Sequence, residues 1–307
     1  MKKVLVIMGA TGTGKTELAK KIYDQVPSTI ISIDSVMVYK DMNIGSAKPS
    51  QYELELYPHA LVDVCSPLTN FSVADCVQSV PKLIDAAHQQ GRLAILVGGT
   101  MMYHYILQYG MHELPVSDLS LRSKLEQELS EVAVEEQWQM LFEQDPDYAS
   151  KLSKNDQQRI RRGLEILAAG CTPTVLLSDS KDSGVMSDYN YLNIVLDCER
   201  DVLYQRLMQR FDNMLDMGFI DEVELLLNKY PGVEQGSAFR AIGYRQMSQY
   251  VLGLTTREEA VNQAKTATRR FAKRQNTWLK RWQQSAIYLH MADAGISEKT
   301  LNCLKNI

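Results

Sequence analysis

Five apolar residues in a row, Val4–Met8, run into a glycine-rich turn and then into a stretch with apolar positions at Leu18, Ala19, Ile22, Tyr23 and Val26. The run predicts a buried strand over residues 4–8. The spacing after Gly9–Thr16 predicts a helix over Lys15–Val26. The alternation then repeats. Thr29–Ile33 reads as a second strand ending at Asp34, Asp41–Pro49 as a loop rich in turn residues, and Leu61–Val64 as a third strand. Ser72–Gln90 reads as a helix opened by a Ser72/Asp75 capping box and kinked at Pro81. Leu93–Val97 is the next strand, and Gly98–Thr100 turns into another helix. Strands alternating with helices over short links predict an α/β fold with a parallel sheet flanked by helices.

The pattern then changes. Residues 118–170 carry helical spacing and no strand signal, and residues 171–190 read as loop. Leu192–Leu196 returns as a strand ending at Asp197, and helices follow at about 200–216, 220–229 and 257–282. The expected organisation is a sheet core, residues 1–114 and 189–307, interrupted by an all-helical insertion at 115–188.

Composition narrows the class. The chain has 307 residues, 45% of them hydrophobic, enough for a full core without staples. Its longest apolar runs have five residues, against the about 20 a membrane span needs, so no membrane association is expected. The short apolar N-terminus runs straight into the glycine turn and does not read as a signal peptide. Five scattered cysteines form no C-x-x-C pair, which predicts reduced thiols and a cytoplasmic setting rather than disulfides or structural zinc. The net charge is −4, so a whole-protein basic footprint is missing, but the charge is segregated. Glu113–Asp156 holds eleven acidic and four basic residues, whereas Lys265–Trp282 holds seven basic residues and no acid. A local basic face can bind phosphates even when the total is negative.

Gly9-Ala10-Thr11-Gly12-Thr13-Gly14-Lys15-Thr16 fits G-x-x-x-x-G-K-[ST] between a strand and a helix. Such glycines let several backbone N–H groups converge on one phosphate, with the helix N-terminus adding positive potential. Lys15 would neutralise phosphate oxygens, and the Thr16 hydroxyl suits Mg²⁺. The loop specifies a pyrophosphate group and does not by itself say whether ATP carries it. Asp34 and Asp197 both end strands, and Asp197 reads as a loop residue. Arg206 and Arg210 stand four apart on one predicted helix face.

From Asp34 the chain reads DSVMVYKDMNIGSAKPS, which resembles the hallmark of the tRNA dimethylallyltransferase (tRNA isopentenyltransferase) family. LAILVGGTMMY (93–103), DPDYASKLSKNDQQRIRRGLEI (145–166), ERDVLYQRLMQRFDNMLDMGFIDEV (199–223), FRAIGYRQM (239–247) and RRFAKRQNTWLKRW (269–282) look like further family segments in the same order. The resemblance extends to about residue 290. Met37 stands where many members have Gln, and Lys40 and Ser46 stand where Arg and Thr are common.

The resemblance implies transfer of the dimethylallyl group of dimethylallyl diphosphate to N6 of the adenine just 3′ of the anticodon, in tRNAs reading codons that start with U. The glycine loop, Gly9–Thr16, would hold the donor's diphosphate with Mg²⁺ at Thr16. Asp34 would be the general base, Arg210 would stabilise the leaving group, and Thr100 would act near the target base. The partner would be a tRNA anticodon stem-loop, met by a monomer. By family position its contacts would be Asp34, Ser35, Val36, Met37, Thr100 and Arg122, then Gln158, Arg159, Ile160, Arg161 and Arg162. Arg240, Ala241, Ile242, Gly243, Tyr244 and Arg245 would follow, then Lys273, Arg274, Gln275, Asn276, Thr277, Trp278, Leu279 and Lys280. Trp278 and Trp282, on the Phe271 stripe, are expected to pack rather than to stack on a base. Two other classes remain open on the residues alone: a P-loop kinase of a small metabolite, with Asp34 as base toward a hydroxyl, and a nucleotide-switched RNA-binding protein.

Overall fold

The computed structural model describes residues 2–111, 119–178 and 183–306. The chain divides into two compact units, residues 1–108 with 185–307, and residues 109–184.

The first unit is built on a six-stranded, wholly parallel sheet of order β3-β2-β4-β1-β5-β6. Its strands are β1 (Lys3–Gly9), β2 (Ser28–Ser32), β3 (His59–Ala60), β4 (Leu93–Val97), β5 (Asn190–Asp197) and β6 (Ile287–His290). The helices before the second unit are α1 (Lys15–Tyr23), α2 (Gln51–Leu56), α3 (Val73–Gln89) and α4 (Met101–Tyr109). Strand β1 lies between β4 and β5, pairing Val6 with Leu96 on one side and with Asn193 on the other. Val4–Met8 are fully buried. A parallel strand covered on both faces has no solvent side, so it reads as an unbroken apolar run.

The second unit, among its described residues, is all helical: α5 (Leu119–Glu128), α6 (Val134–Gln144), α7 (Pro146–Ala149), α8 (Gln157–Ala168) and α9 (Pro173–Ser178). Its own core is Leu129, Leu141, Ala149, Ile160 and Leu164. Asp145 fastens it, its carboxylate accepting the amides of Tyr148 and Thr174 and the Thr174 hydroxyl. The unit begins at Tyr109 and ends at Gly184 rather than running over 115–188, because the turn Val185–Asp188 packs with α3 and β5. Residues 171–190, expected as loop, include α9.

Back in the first unit follow α10 (Arg200–Asp216), α11 (Phe219–Lys229), α12 (Tyr244–Val251), α13 (Arg257–Leu279) and α14 (Ile296–Lys305). Their apolar faces bury Phe211, Phe219, Tyr244 and Met247 in one cluster, joined by Phe239 from the turn before α12. No described helix is long and apolar enough to cross a membrane.

One local expectation needs correction. The third strand is His59–Ala60, not Leu61–Val64, because Leu61 and Asp63 take left-handed backbone angles (φ 61° and 55°) that end the pairing with β2. The helix expected over Ser72–Gln90 runs from Val73 to Gln89 with Pro81 inside it. The Ser72/Asp75 box at its start is complete in both directions.

Candidate active site

Three chain segments leave the carboxyl ends of neighbouring strands and meet there, the edge at which open α/β sheets bind ligands. The glycine loop follows β1, Asp34 follows β2, and Gly98–Thr100 follows β4. They border a cleft of about 560 Å³ lined by Thr11, Gly12, Gly14, Lys15, Thr16, Asp34, Met37, Gly98, Gly99, Arg206, Arg210 and Gln275, among others.

The glycine loop divides its labour. Gly12 and Gly14 take φ of 84° and 85°, a conformation costly for any side chain, and Gly14 caps α1. Ala10 and Thr13 are buried, the Thr13 hydroxyl donating to the Ala10 carbonyl at 2.9 Å. Gly9, Ala10 and Thr13 therefore hold the loop's shape, and Thr11, Gly12, Gly14, Lys15 and Thr16 face the cleft.

Lys15 Nζ donates to the Ala10 carbonyl at 2.7 Å. Desolvation lowers its pKa to about 7, against the opposing pull of Asp34 and with a smaller push from Arg210. Burial also lowers the Arg210 pKa, while Asp34 raises it. These three charges thus belong to one site. Arg210 Nη1 donates to the Thr11 hydroxyl at 3.4 Å, and Arg206 Nε donates to the Gly12 carbonyl at 3.2 Å. Arg206 therefore joins the cradle beside Arg210, one helical turn earlier on α10.

Asp34 is held by its own chain. Its Oδ1 accepts the amides of Val36 at 2.8 Å and Met37 at 3.2 Å, an arrangement that fixes a carboxylate without an opposing salt bridge. Thr100 does not line the cleft. Its hydroxyl accepts the Ser35 amide at 3.0 Å and donates to the Ser35 hydroxyl at 3.3 Å. The Gly-Gly of this turn is a packing requirement: a Cβ on Gly98 would stand 1.9 Å from the Ile33 carbonyl oxygen.

The expected RNA contacts separate on burial. Arg240, Arg245, Lys273, Arg274, Thr277 and Lys280 are exposed in the first unit, as are Gln158 and Arg159 in the second. Ile160, Tyr244, Gln275 and Leu279 are buried, so their side chains have no surface to offer RNA. The Tyr244 hydroxyl donates to Glu222 at 2.6 Å. Arg161 is engaged with Gln137 and the Leu129 carbonyl, and Arg162 pairs with Glu165 at 2.8 Å. Arg161 thus ties α8 to the unit's interior, whereas the Arg162 pair lies along α8 itself and is partly exposed. Arg122 lies on α5, with its side chain outside the described residues. Trp282 is fully buried, its indole N–H donating to Gln108 at 2.8 Å. Trp278 is half-buried, with Arg281 stacked 4.4 Å over its ring.

The described residues hold no group of three His, Cys, Asp or Glu side chains able to bind a metal.

The family model described as IPP transferase matches residues 37–282. The chain belongs to the IPP transferase family. It is 40% identical over 290 residues to the tRNA dimethylallyltransferase of Acinetobacter baumannii, covering 92% of this chain and 91% of that one. Among solved structures it resembles a tRNA isopentenylpyrophosphate transferase from Bacillus halodurans (33% identity, TM-score 0.69, 100% of this chain and 95% of that one). It also resembles a eukaryotic dimethylallyltransferase described as acting on tRNA (26% identity, TM-score 0.82, 100% of this chain and 80% of that one). Family membership decides against the kinase and the nucleotide-switched binder.

Proposed function

We propose that this member of the family is a tRNA dimethylallyltransferase, a prenyl transferase that moves the dimethylallyl group of dimethylallyl diphosphate to N6 of the adenine 3′-adjacent to the anticodon, giving N6-isopentenyladenosine. The observation that carries the reading is the convergence of Lys15, Arg210 and Asp34 on one cleft at the sheet's carboxyl edge.

The residues divide the reaction between them. The donor's diphosphate sits on the amides at the start of α1, with Lys15 and Arg210 against its oxygens. As the allylic carbon–oxygen bond breaks, negative charge grows on that leaving group, and these cations stabilise it. An exocyclic aromatic amine is a weak nucleophile. Asp34 takes the N6 proton as the new carbon–nitrogen bond forms. Thr16 would hold Mg²⁺ together with diphosphate oxygens, and the ion would supply further charge neutralisation. Thr100 acts through Ser35, setting the segment that carries Asp34.

The adenine must leave the anticodon-loop stack to reach the cleft. Lys273, Arg274, Lys280, Arg240 and Arg245 supply exposed positive charge for the loop's phosphates. The helical unit is assigned to tRNA contact through Gln158, Arg159 and Arg122.

The test is direct. The protein is mixed with Mg²⁺, labelled dimethylallyl diphosphate and an unmodified tRNA that has adenine next to the anticodon. The reading requires label at N6 of that adenine. Label absent from tRNA would reject it.

A further inference from the structure

Helix α13 is polar along most of its length, yet Gln275 turns inward and is 3% exposed. Its side-chain oxygen accepts the Thr11 amide at 2.9 Å, and its nitrogen donates to the Gly99 carbonyl at 2.7 Å. Burying a carboxamide is unfavourable unless both ends are partnered. Here both are, and the partners come from two walls of the cleft. Thr11 belongs to the phosphate loop, and its hydroxyl takes a hydrogen bond from Arg210. Gly99 precedes Thr100, which holds Ser35 and so the segment of Asp34. The fit has no slack, since a methyl group on Gly99 would stand 2.7 Å from the Gln275 nitrogen.

We infer that Gln275 is a positioning residue for the transfer step: its carboxamide sets the separation between the diphosphate cradle and the wall that carries the base, and it does not touch RNA. This rests on the prenyl-transfer reading. The Thr11 amide belongs to the type of loop N–H group that otherwise grips an anion. Gln275 already occupies it, so the residue shapes the cradle without adding to donor affinity. In-line attack needs the leaving group and the base in register, and a displacement of about 1 Å costs on the order of a hundredfold in rate.

The test uses the full chain with Q275M, an apolar side chain of similar length, and with Q275E. Single-turnover transfer is measured at saturating donor and tRNA, and the Kd of each is measured separately. Q275M should transfer about 10- to 100-fold more slowly, with both Kd values near wild type. Q275E keeps an acceptor for Thr11 but can donate to Gly99 only when protonated. Its rate relative to wild type should therefore climb as the pH falls, a readout that stands even if Q275M does not fold. A weakened tRNA Kd with an unchanged single-turnover rate would return Gln275 to RNA contact and overturn the inference. So would a lowered melting temperature with an unchanged rate per folded enzyme. Wild-type protein that transfers no label would remove the prenyl-transfer reading itself, an outcome distinct from either.

Discussion

The Ser35 amide donates to the Thr100 hydroxyl at 3.0 Å. That bond joins the segment leaving β2 to the turn leaving β4, one residue beyond Asp34 on the first and one beyond Gly99 on the second. Thr100→Val keeps the shape and removes the acceptor. It should lower the single-turnover rate by about tenfold or more while leaving donor Kd near wild type, because it loosens the base and not the cradle. Thr100→Ser, which retains the hydroxyl, should stay within about threefold. Equal losses in both variants would show that the hydroxyl is not what matters.

The lowered Lys15 pKa, about 7, predicts a pH-dependent donor affinity. Desolvation disfavours the ammonium in the free enzyme, and bound diphosphate favours it. Donor binding above pH 7 must then take up a proton at Lys15, so affinity should fall by up to about tenfold per pH unit as the pH rises from 7 to 9. Calorimetry in buffers of different ionisation enthalpy reads that proton uptake. Lys15→Arg, which stays charged, should flatten the dependence. An affinity independent of pH in the wild type would contradict the assignment.

Glu222, in the first turn of α11, organises a loop beside the cleft. Its carboxylate accepts the amides of Asn43, Ile44 and Gly45 and the hydroxyl of Tyr244. Burial first, and then the Glu222 charge, push the Tyr244 phenol upward, so it remains a donor at every working pH. Hydrogen bonds to a charged group contribute about 1.5–3 kcal/mol each. Tyr244→Phe, which removes one, should cost about that much in denaturant unfolding, and Glu222→Ala should cost more. Because Ser46, Ala47 and Lys48 border the cleft, Glu222→Ala should also raise the donor KM. Unchanged stability in both variants would show that the loop is held by other means.

The parts of the site legible in the sequence are those set by local spacing. The apolar run of β1 and the glycines after it announce a phosphate loop without reference to the rest of the chain. Asp34 was legible because it directly follows an apolar run. Strand β3 was not, since it pairs only His59 and Ala60 with β2 and its neighbours Leu61 and Asp63 break the pattern. Strand β6 also escapes reading: four residues at a sheet edge, with Ile287 and Tyr288 exposed, leave no buried run to recognise. The burial of Gln275 and the engagement of Arg161 depend on partners 264 and 24 residues away. In sequence both sit in polar helical stretches that read as solvent-facing. Arg206 and Arg210 share one helix face, but only the tertiary fold brings both against the glycine loop.

In the proposed reaction the phosphate loop holds an isoprenoid leaving group while Asp34 removes the proton from the adenine nitrogen. Asp34→Ala separates the two roles. Single-turnover prenyl transfer to unmodified tRNA and equilibrium binding of dimethylallyl diphosphate are measured on the same preparation. The account predicts a rate lower by about two to four orders of magnitude with donor affinity little changed. A variant that transfers at the wild-type rate, or that loses donor binding while its saturated rate stays intact, would contradict it.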